Sequence, residues 1–335
     1  YSRYANPTVE AFEHAVAELE NTQAALAFAS GMGAISSVIL ALCSSGDHIV
    51  AQRNCYAGTL AFLNGPCARL GIDVTFVDGR NAHEFATAVR PGKTMLVMAE
   101  TPSNPLLDLV DLTELGKIKG PFTLVDSTLA TPLAQRPHDY GVSIVLHSAT
   151  KGIAGHNDAT LGVIAADLDL INDIWAYAVL HGATASPFDA MNGLRGIRTL
   201  DVRLARQSET ALELGLWLST QKNVTGVHYP GLNTHPQHEL AVKQMRYFGS
   251  VLSFEIAGGK PAASKLLSAL KLVRPAVTLG GPETLISHSA SSTHNSVDTE
   301  SKTKSGLTDS LLRISVGLEA CVDIQNDLEN AFKNY

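Results

Sequence analysis

Apolar positions change their period as the chain proceeds. Between residues 8 and 21, Phe12, Ala15, Val16 and Leu19 recur at helical spacing, with Thr8 placed to cap the start and Glu10 in the first turn. A second apolar helical run opens at Ser30-Gly31-Met32-Gly33 and extends to Leu42. Beyond it the pattern shifts to short runs of mostly β-branched and aliphatic residues at 48–51, 72–77, 94–99, 122–126, 143–147 and 160–165. Helical or turn-rich stretches separate them. Buried strands alternating with helices predict an α/β fold built on a mostly parallel central sheet.

The pattern changes again at 199–221, where good helix formers are interrupted by Gly215 alone. This long helix reads as the bridge to a smaller α/β unit, with strands at 251–256 and 311–316 and helices at 262–270 and 322–332. The division predicted is therefore a domain of residues 1–198 and a C-terminal domain of 199–335. The Ser-rich stretch 287–296 reads as a loop on composition.

Composition narrows the classes. Over 335 residues, 25 basic side chains face 32 acidic ones, a net charge of −7 with no Lys/Arg run, which argues against a nucleic-acid partner. Apolar stretches break well before the about eighteen residues that span a bilayer, so no membrane association is expected. Cys43, Cys55, Cys67 and Cys321 form no CxxC pair, which indicates neither a zinc site nor a disulfide framework and fits a reducing, cytoplasmic setting. The chain opens at Tyr1 rather than a methionine, so a missing upstream segment, and a larger parent polypeptide, are expected.

Candidate chemistry concentrates at two strand ends, where open α/β sheets bind ligands. Asp126 closes FTLVD, and Lys151 closes HSATK before a glycine-containing turn. The pair reads either as a buried ion pair or as a pyridoxal 5'-phosphate site. In the latter the lysine forms an imine with the aldehyde and the aspartate keeps the pyridine nitrogen protonated. The GMG at 31–33 lacks the dinucleotide GxGxxG spacing; small residues ahead of a helix suit either a phosphate or a plain turn. His235-x-x-His238 has a metal-like spacing but sits in a proline-containing stretch without a third ligand, and reads as surface.

The motifs YSRYANPT (1–8), SGMGA (30–34), ETPSNP (100–105), VDSTLATP (125–132), HSATKGIAGHND (147–158), YPG (229–231), LGGPETL (279–285) and LLRISVGLE (311–319) occur in this order across nearly the whole chain. They resemble the pyridoxal-phosphate enzymes of cysteine and methionine metabolism, which include cystathionine γ-lyase, cystathionine γ-synthase and methionine γ-lyase. The resemblance implies fold type I, the aspartate aminotransferase-like architecture, in a homo-oligomer whose active site is shared across a dimer, with dimers pairing into a tetramer. It implies Lys151 as the Schiff-base lysine, Asp126 as partner of the pyridine nitrogen and Tyr56 as the tyrosine stacked on the ring. Gly31 and Met32 match backbone donors to the phosphate, with hydroxyls from Ser148 and Thr150. Tyr1 and Arg3 match a pair reaching the phosphate from a neighbouring subunit. Asn104 matches a residue near the cofactor hydroxyl and substrate carboxylate, and Arg313 the arginine that clamps that carboxylate, with Thr278 beside it.

The activity so implied is elimination of a thiol from a sulfur amino acid, with Lys151 moving protons and Tyr56 protonating the departing group. The same parts serve γ-replacement on an O-activated homoserine, and a catalytically silent homologue acting as an assembly partner is the reading from another class. Several positions depart from the family pattern: Ala57, Ser127, Gly152, Thr278, and Ser289 in the loop before Thr293-His294. Gly58 stands where the resemblance places a cysteine in methionine γ-lyases, which counts against that assignment. Ala61 and Val277 stand where some cystathionine-cleaving enzymes carry an arginine and a glutamate. A less charged distal pocket and a preference for apolar or bulky sulfur substituents follow from the last two.

Overall fold

A computed structural model of the protein describes residues 1–292 and 307–333. The first helix, Pro7–Glu20, starts one residue earlier than the spacing suggests because Asn6, not Thr8, caps it: Asn6 Oδ1 accepts the Thr8 N–H at 3.0 Å. Pro7 then occupies a position whose missing N–H loses no helical bond. Phe12 and Val16 are fully buried, and the helix ends at Asn21 in the left-handed region (φ 57°).

The central sheet has seven strands: β1 (Ala24–Phe28), β2 (His48–Gln52), β3 (Asp73–Val77), β4 (Thr94–Glu100), β5 (Phe122–Asp126), β6 (Ile144–His147) and β7 (Gly162–Ala166). Their order is β1-β7-β6-β5-β4-β2-β3, parallel from β6 through β3, with β7 antiparallel to both neighbours. The expected mostly parallel α/β sheet is thus observed. Separate apolar clusters fill its two faces. One, around Ile35, Val38, Ile39, Leu96 and Ile164, is closed by helices Gly31–Leu42 and Leu168–His181. The alternate strand positions Val50, Val97 and Val125 point to the other, which helix Leu112–Leu115 helps to close.

A second, five-stranded sheet has the order β10-β11-β12-β9-β8, with β8 (Val224–His228), β9 (Val251–Ile256), β10 (Arg274–Pro275), β11 (Leu285–His288) and β12 (Leu311–Ser315). Its core gathers Leu252, Phe254, Ile314, Leu266, Ile324 and Leu328. Helix Leu200–Leu218 touches both bodies of core: Leu204 packs with Leu109 and Ala130, while Ala211, Leu214 and Leu218 join the second sheet's cluster.

The Ser-rich stretch departs from the loop expected on composition only at its first two residues, Ser287 and His288, which end a strand. Residues 285–288 form β11, antiparallel to β12, with Ser287 opposite Arg313 and 5% exposed. Pairing and burial there override serine's turn preference. Ser289–Ser291 form one 3-10 turn, and residues 293–296, Thr293 and His294 among them, lie outside the described residues. His235, read as surface, is buried at 6% exposure, and burial together with His228 and His238 pushes its imidazole down to about 4.

Candidate active site

The carboxyl ends of β4, β5 and β6 and the start of helix Gly31–Leu42 surround a cavity of about 360 Å³. Gly31, Met32, Tyr56, Asn104, Asp126, Ser148, Thr150, Lys151, Thr278 and Arg313 all line it. Residues up to 282 positions apart therefore converge on one space: parallel strands of the central sheet present their carboxyl ends at one edge, and the second sheet brings Arg313 of β12 to the same cavity.

Asp126 is inside the protein and its carboxyl is raised above the usual carboxylate range, first by burial. Its Oδ1 accepts both the Thr128 N–H at 3.0 Å and the Thr128 hydroxyl at 2.5 Å. The same hydroxyl accepts the Ser148 N–H at 2.8 Å, so Thr128 joins the β5 and β6 ends. Oδ2 makes no hydrogen bond among the described residues. Lys151 Nζ donates to Thr278 Oγ1 at 3.0 Å, and burial, with Arg313 nearby, lowers its ammonium below the ordinary lysine value.

Arg313 points from β12 into the cavity while only 2% exposed. Nη1 donates to Asn104 Oδ1 at 3.1 Å, and Nη2 to the carbonyls of Val277 at 2.9 Å and Thr278 at 3.3 Å. Its Nε is buried without a partner, and burial pushes the guanidinium down to about 10 against the opposing pull of Glu100. A guanidinium held by neutral oxygens at a cavity wall is a receptor for a carboxylate.

The N-terminus of helix Gly31–Leu42 forms the anion end. Ser30 caps it, accepting the Gly33 N–H at 3.0 Å, and Gly31 lies so close to Ser148 that a Cβ would stand 2.8 Å from Ser148 Cβ. The missing Cβ lets the helix start pack directly on Ser148 at the cavity wall, and a helix N-terminus suits a phosphate. Ser148 contributes a hydroxyl at the same wall. Thr150 also lines the cavity, but its hydroxyl donates to the Leu161 carbonyl at 3.1 Å and accepts the Leu161 N–H at 2.8 Å. Tyr56 is 43% exposed and lies against Gly58, whose added Cβ would sit 2.4 Å from the tyrosine Cε1.

Tyr1 and Arg3 are not brought to this cavity. Arg3 rests over the rings of Tyr1 and Tyr4, and Nη1 donates to the Val179 carbonyl at 2.6 Å on the same chain's surface. Of the departing positions, Ser127 is fully buried and its hydroxyl accepts from Gln135 Nε2 at 3.2 Å. A Cβ on Gly152 would meet Thr131 Cγ2 at 2.8 Å, so a larger residue there would have to displace it. Ala61 is exposed and outside the cavity lining, whereas Val277 lies at its wall with 58% exposure.

Three residues escaped the sequence reading. Glu100 accepts the backbone N–H groups of Tyr56 and Asn104, each at 2.7 Å, and burial with Asp126 alongside raises its carboxyl. Arg203 donates to the carbonyls of Gly152 at 2.9 Å, Ile153 at 3.2 Å and Gly196 at 2.8 Å, and so holds the turn that follows Lys151. Gln207 Nε2 bonds the carbonyls of Gly281 and Val316 at 2.9 and 3.0 Å. A charged residue inside an amphipathic helix carries no sequence mark of such carbonyl contacts.

The donor set fits pyridoxal 5'-phosphate: a helix N-terminus for phosphate, an acid with an open oxygen, an aromatic wall and a desolvated lysine share one cavity. Comparison with known proteins agrees. The family profile described as "Cys/Met metabolism PLP-dependent enzyme" matches residues 1–333, and the chain belongs to that family. The chain is 42% identical over 339 residues to L-methionine gamma-lyase of Fusobacterium nucleatum subsp. nucleatum, covering 99% of this chain and 86% of that protein. It is 42% identical over 337 residues to a cystathionine beta-lyase of Coxiella burnetii, covering 99% and 87%. Among solved structures, cystathionine gamma synthase of Xanthomonas oryzae pv. oryzae in complex with cystathionine superposes with a TM-score of 0.96 at 38% identity, covering 100% of this chain and 87% of that one.

Proposed function

We propose that the protein is a pyridoxal-phosphate-dependent carbon–sulfur lyase that releases a thiol, a 2-oxo acid and ammonia from a sulfur amino acid. The observation that carries this is the placement of a desolvated Lys151 and a carboxylate-seeking Arg313 on one cavity. Bound pyridoxal phosphate supplies an electron-accepting ring for the charge left at the substrate's α-carbon. Arg313 and Asn104 hold the substrate carboxylate, which orients the α-proton toward Lys151. Lys151, its ammonium destabilised by burial, takes that proton as the neutral amine and hands protons on. Asp126, with only one oxygen bonded to Thr128, would keep a proton at the ring nitrogen of the bound cofactor. Tyr56 donates a proton to the departing sulfur.

Val277 at the cavity wall, in place of a charged residue, supports an apolar or bulky thioether over cystathionine; methionine is the simplest such probe, with Gly58 as the position that weighs against it. The names of both curated relatives support the lyase reading. The second subunit is part of the same proposal. Leu180 and Phe188 stand 84% and 77% exposed, and Arg3 lies on the chain's outer surface rather than at its own cavity. A dimer in which Tyr1 and Arg3 reach the neighbouring phosphate, with dimers pairing into a tetramer, accounts for both. The division into domains at residues 198 and 199 rests on the two separate sheets. Four buried, unpaired cysteines support a cytoplasmic setting.

The test is incubation of the cofactor-loaded protein with L-methionine and with L-cystathionine, followed by identification of the oxo acid. 2-Oxobutyrate with methanethiol from methionine is the expected result. Pyruvate from cystathionine alone would shift the reading to β-elimination. Oxo acid from neither, with turnover of an O-activated homoserine and a thiol, would replace it with γ-replacement.

A further inference from the structure

Glu100 ends β4, and its register partner on β5 is Asp126. Residues in register on adjacent parallel strands face the same side of the sheet, here the cavity side. Glu100 is 4% exposed, and a carboxyl so buried ordinarily meets a cation. This one meets two backbone amides instead: Oε2 takes the Tyr56 N–H and Oε1 the Asn104 N–H, both at 2.7 Å. The strand end is itself pinned, because Glu100 N–H donates to Gln52 Oε1 at 2.8 Å at the close of β2. One side chain thus joins the loop bearing Tyr56 to the loop bearing Asn104. Asn104 in turn accepts from Arg313 at 3.1 Å.

We propose that Glu100 is a positioning residue that sets the Tyr56 ring and the Asn104–Arg313 clamp in one frame, so that the grip on the cofactor ring and the grip on the amino-acid carboxylate are coupled. Its place in turnover rests on the lyase reading above; its effect on binding does not. The residue type follows from the two donors. A carboxylate offers an acceptor to each N–H, whereas a carboxamide offers one acceptor and turns an NH₂ group toward the other. A glutamate that served the fold alone would change the melting temperature and leave the two affinities untouched.

The test compares wild type with Glu100→Gln and Glu100→Asp. Pyridoxal 5'-phosphate is titrated into protein freed of it. L-norleucine, an apolar amino acid without a leaving group, is titrated into loaded protein. Both titrations are read by absorbance. Glu100→Gln should weaken both affinities about tenfold, the effect of one lost hydrogen bond, and should also lower the thermal midpoint because a buried N–H loses its acceptor; the paired loss of affinity is what a purely structural role would not produce. Glu100→Asp keeps both acceptors on a shorter stem and should weaken both to a smaller extent; it decides the matter if the glutamine variant does not fold. In an Asn104→Ala background, Glu100→Gln should leave norleucine affinity where Asn104→Ala alone puts it, since both act through one contact. An unchanged affinity for either probe, or fully additive losses with Asn104→Ala, would overturn the proposal. Wild-type turnover of L-methionine is measured alongside. Absence of oxo acid there, and likewise from L-cystathionine, removes the lyase reading, while the titrations still decide the role of Glu100.

Discussion

At the scale of single residues, the site is a set of charges held where water cannot stabilise them. Lys151 is partly buried and lowered, Arg313 is buried with an open Nε, and Asp126 is half-buried with one oxygen bonded only to Thr128. Each becomes satisfied when a ligand of opposite character arrives. Removing the amine should therefore end the chemistry and leave the receptor. Lys151→Ala is expected to lower oxo-acid release by at least ~10²–10⁴-fold while pyridoxal phosphate still binds reversibly, as an absorbance titration would show. Normal turnover in that variant would rule out the mechanism. Asp126 was legible because a strand that ends on a charged residue is unusual, and Lys151, which lies in the turn beyond the end of β6, because motif order marked it. Glu100 was not, though it ends a strand in the same way. Within ETPSNP it reads as one more polar turn residue, and its meaning lies in two amides that only folding brings to it.

At the scale of elements, helix Leu200–Leu218 does more than its sequence pattern of a bridging helix suggests. Arg203 binds three carbonyls around the turn after Lys151, and Gly155 makes room for the guanidinium: at φ +68° a Cβ would stand 1.9 Å from Arg203 Nη1. A lysine cannot serve three carbonyls with the same fork. Arg203→Lys should cost about 3 kcal/mol in unfolding free energy and raise KM for pyridoxal-dependent turnover, read by denaturant melts and steady-state kinetics. Helix Pro7–Glu20 offers a pH-dependent case. Glu13 accepts the Ala27 N–H at 2.7 Å, and burial raises its carboxyl to about 7. Between the ordinary glutamate value and about 7 the folded protein binds the proton more tightly than the unfolded chain does. Stability is consequently lost as pH rises through that window. Glu13→Gln should stabilise the protein by roughly 2 kcal/mol at pH 8 and by almost nothing at pH 4, in paired melts at the two pH values. The strand at Leu285–His288 shows the opposite limit of sequence reading: four residues with two polar ones become a buried strand because β12 supplies the partner.

For the whole molecule, the described residues gather Lys151, Asp126, Tyr56 and Arg313 on one cavity, but not Arg3, the phosphate contact the sequence reading expected there. Arg3 is held by Val179 and by two tyrosine rings on its own outer surface. If the proposed dimer forms, Arg3→Ala is expected to weaken pyridoxal phosphate binding about tenfold while leaving the oligomeric state seen by sedimentation unchanged. Unchanged affinity would argue against a phosphate contact from the neighbouring subunit. No helix among the described residues is long and apolar enough to cross a membrane, which agrees with the broken apolar runs of the sequence.

The sequence alone determined the alternation of short apolar runs with helical ones, and hence the parallel sheet, because periodicity is set locally by which faces must leave water. It also determined the family, and motif order pointed to Lys151 and Asp126, which the fold brings to one cavity. Only the tertiary structure decided which distant groups meet. Arg313 reaches Asn104 across 209 residues and Lys151 reaches Thr278 across 127. Glu100, Thr128 and Arg203 acquire their roles from backbone groups they meet in space, and hydrogen-bond partnerships between strand ends have no period along the chain.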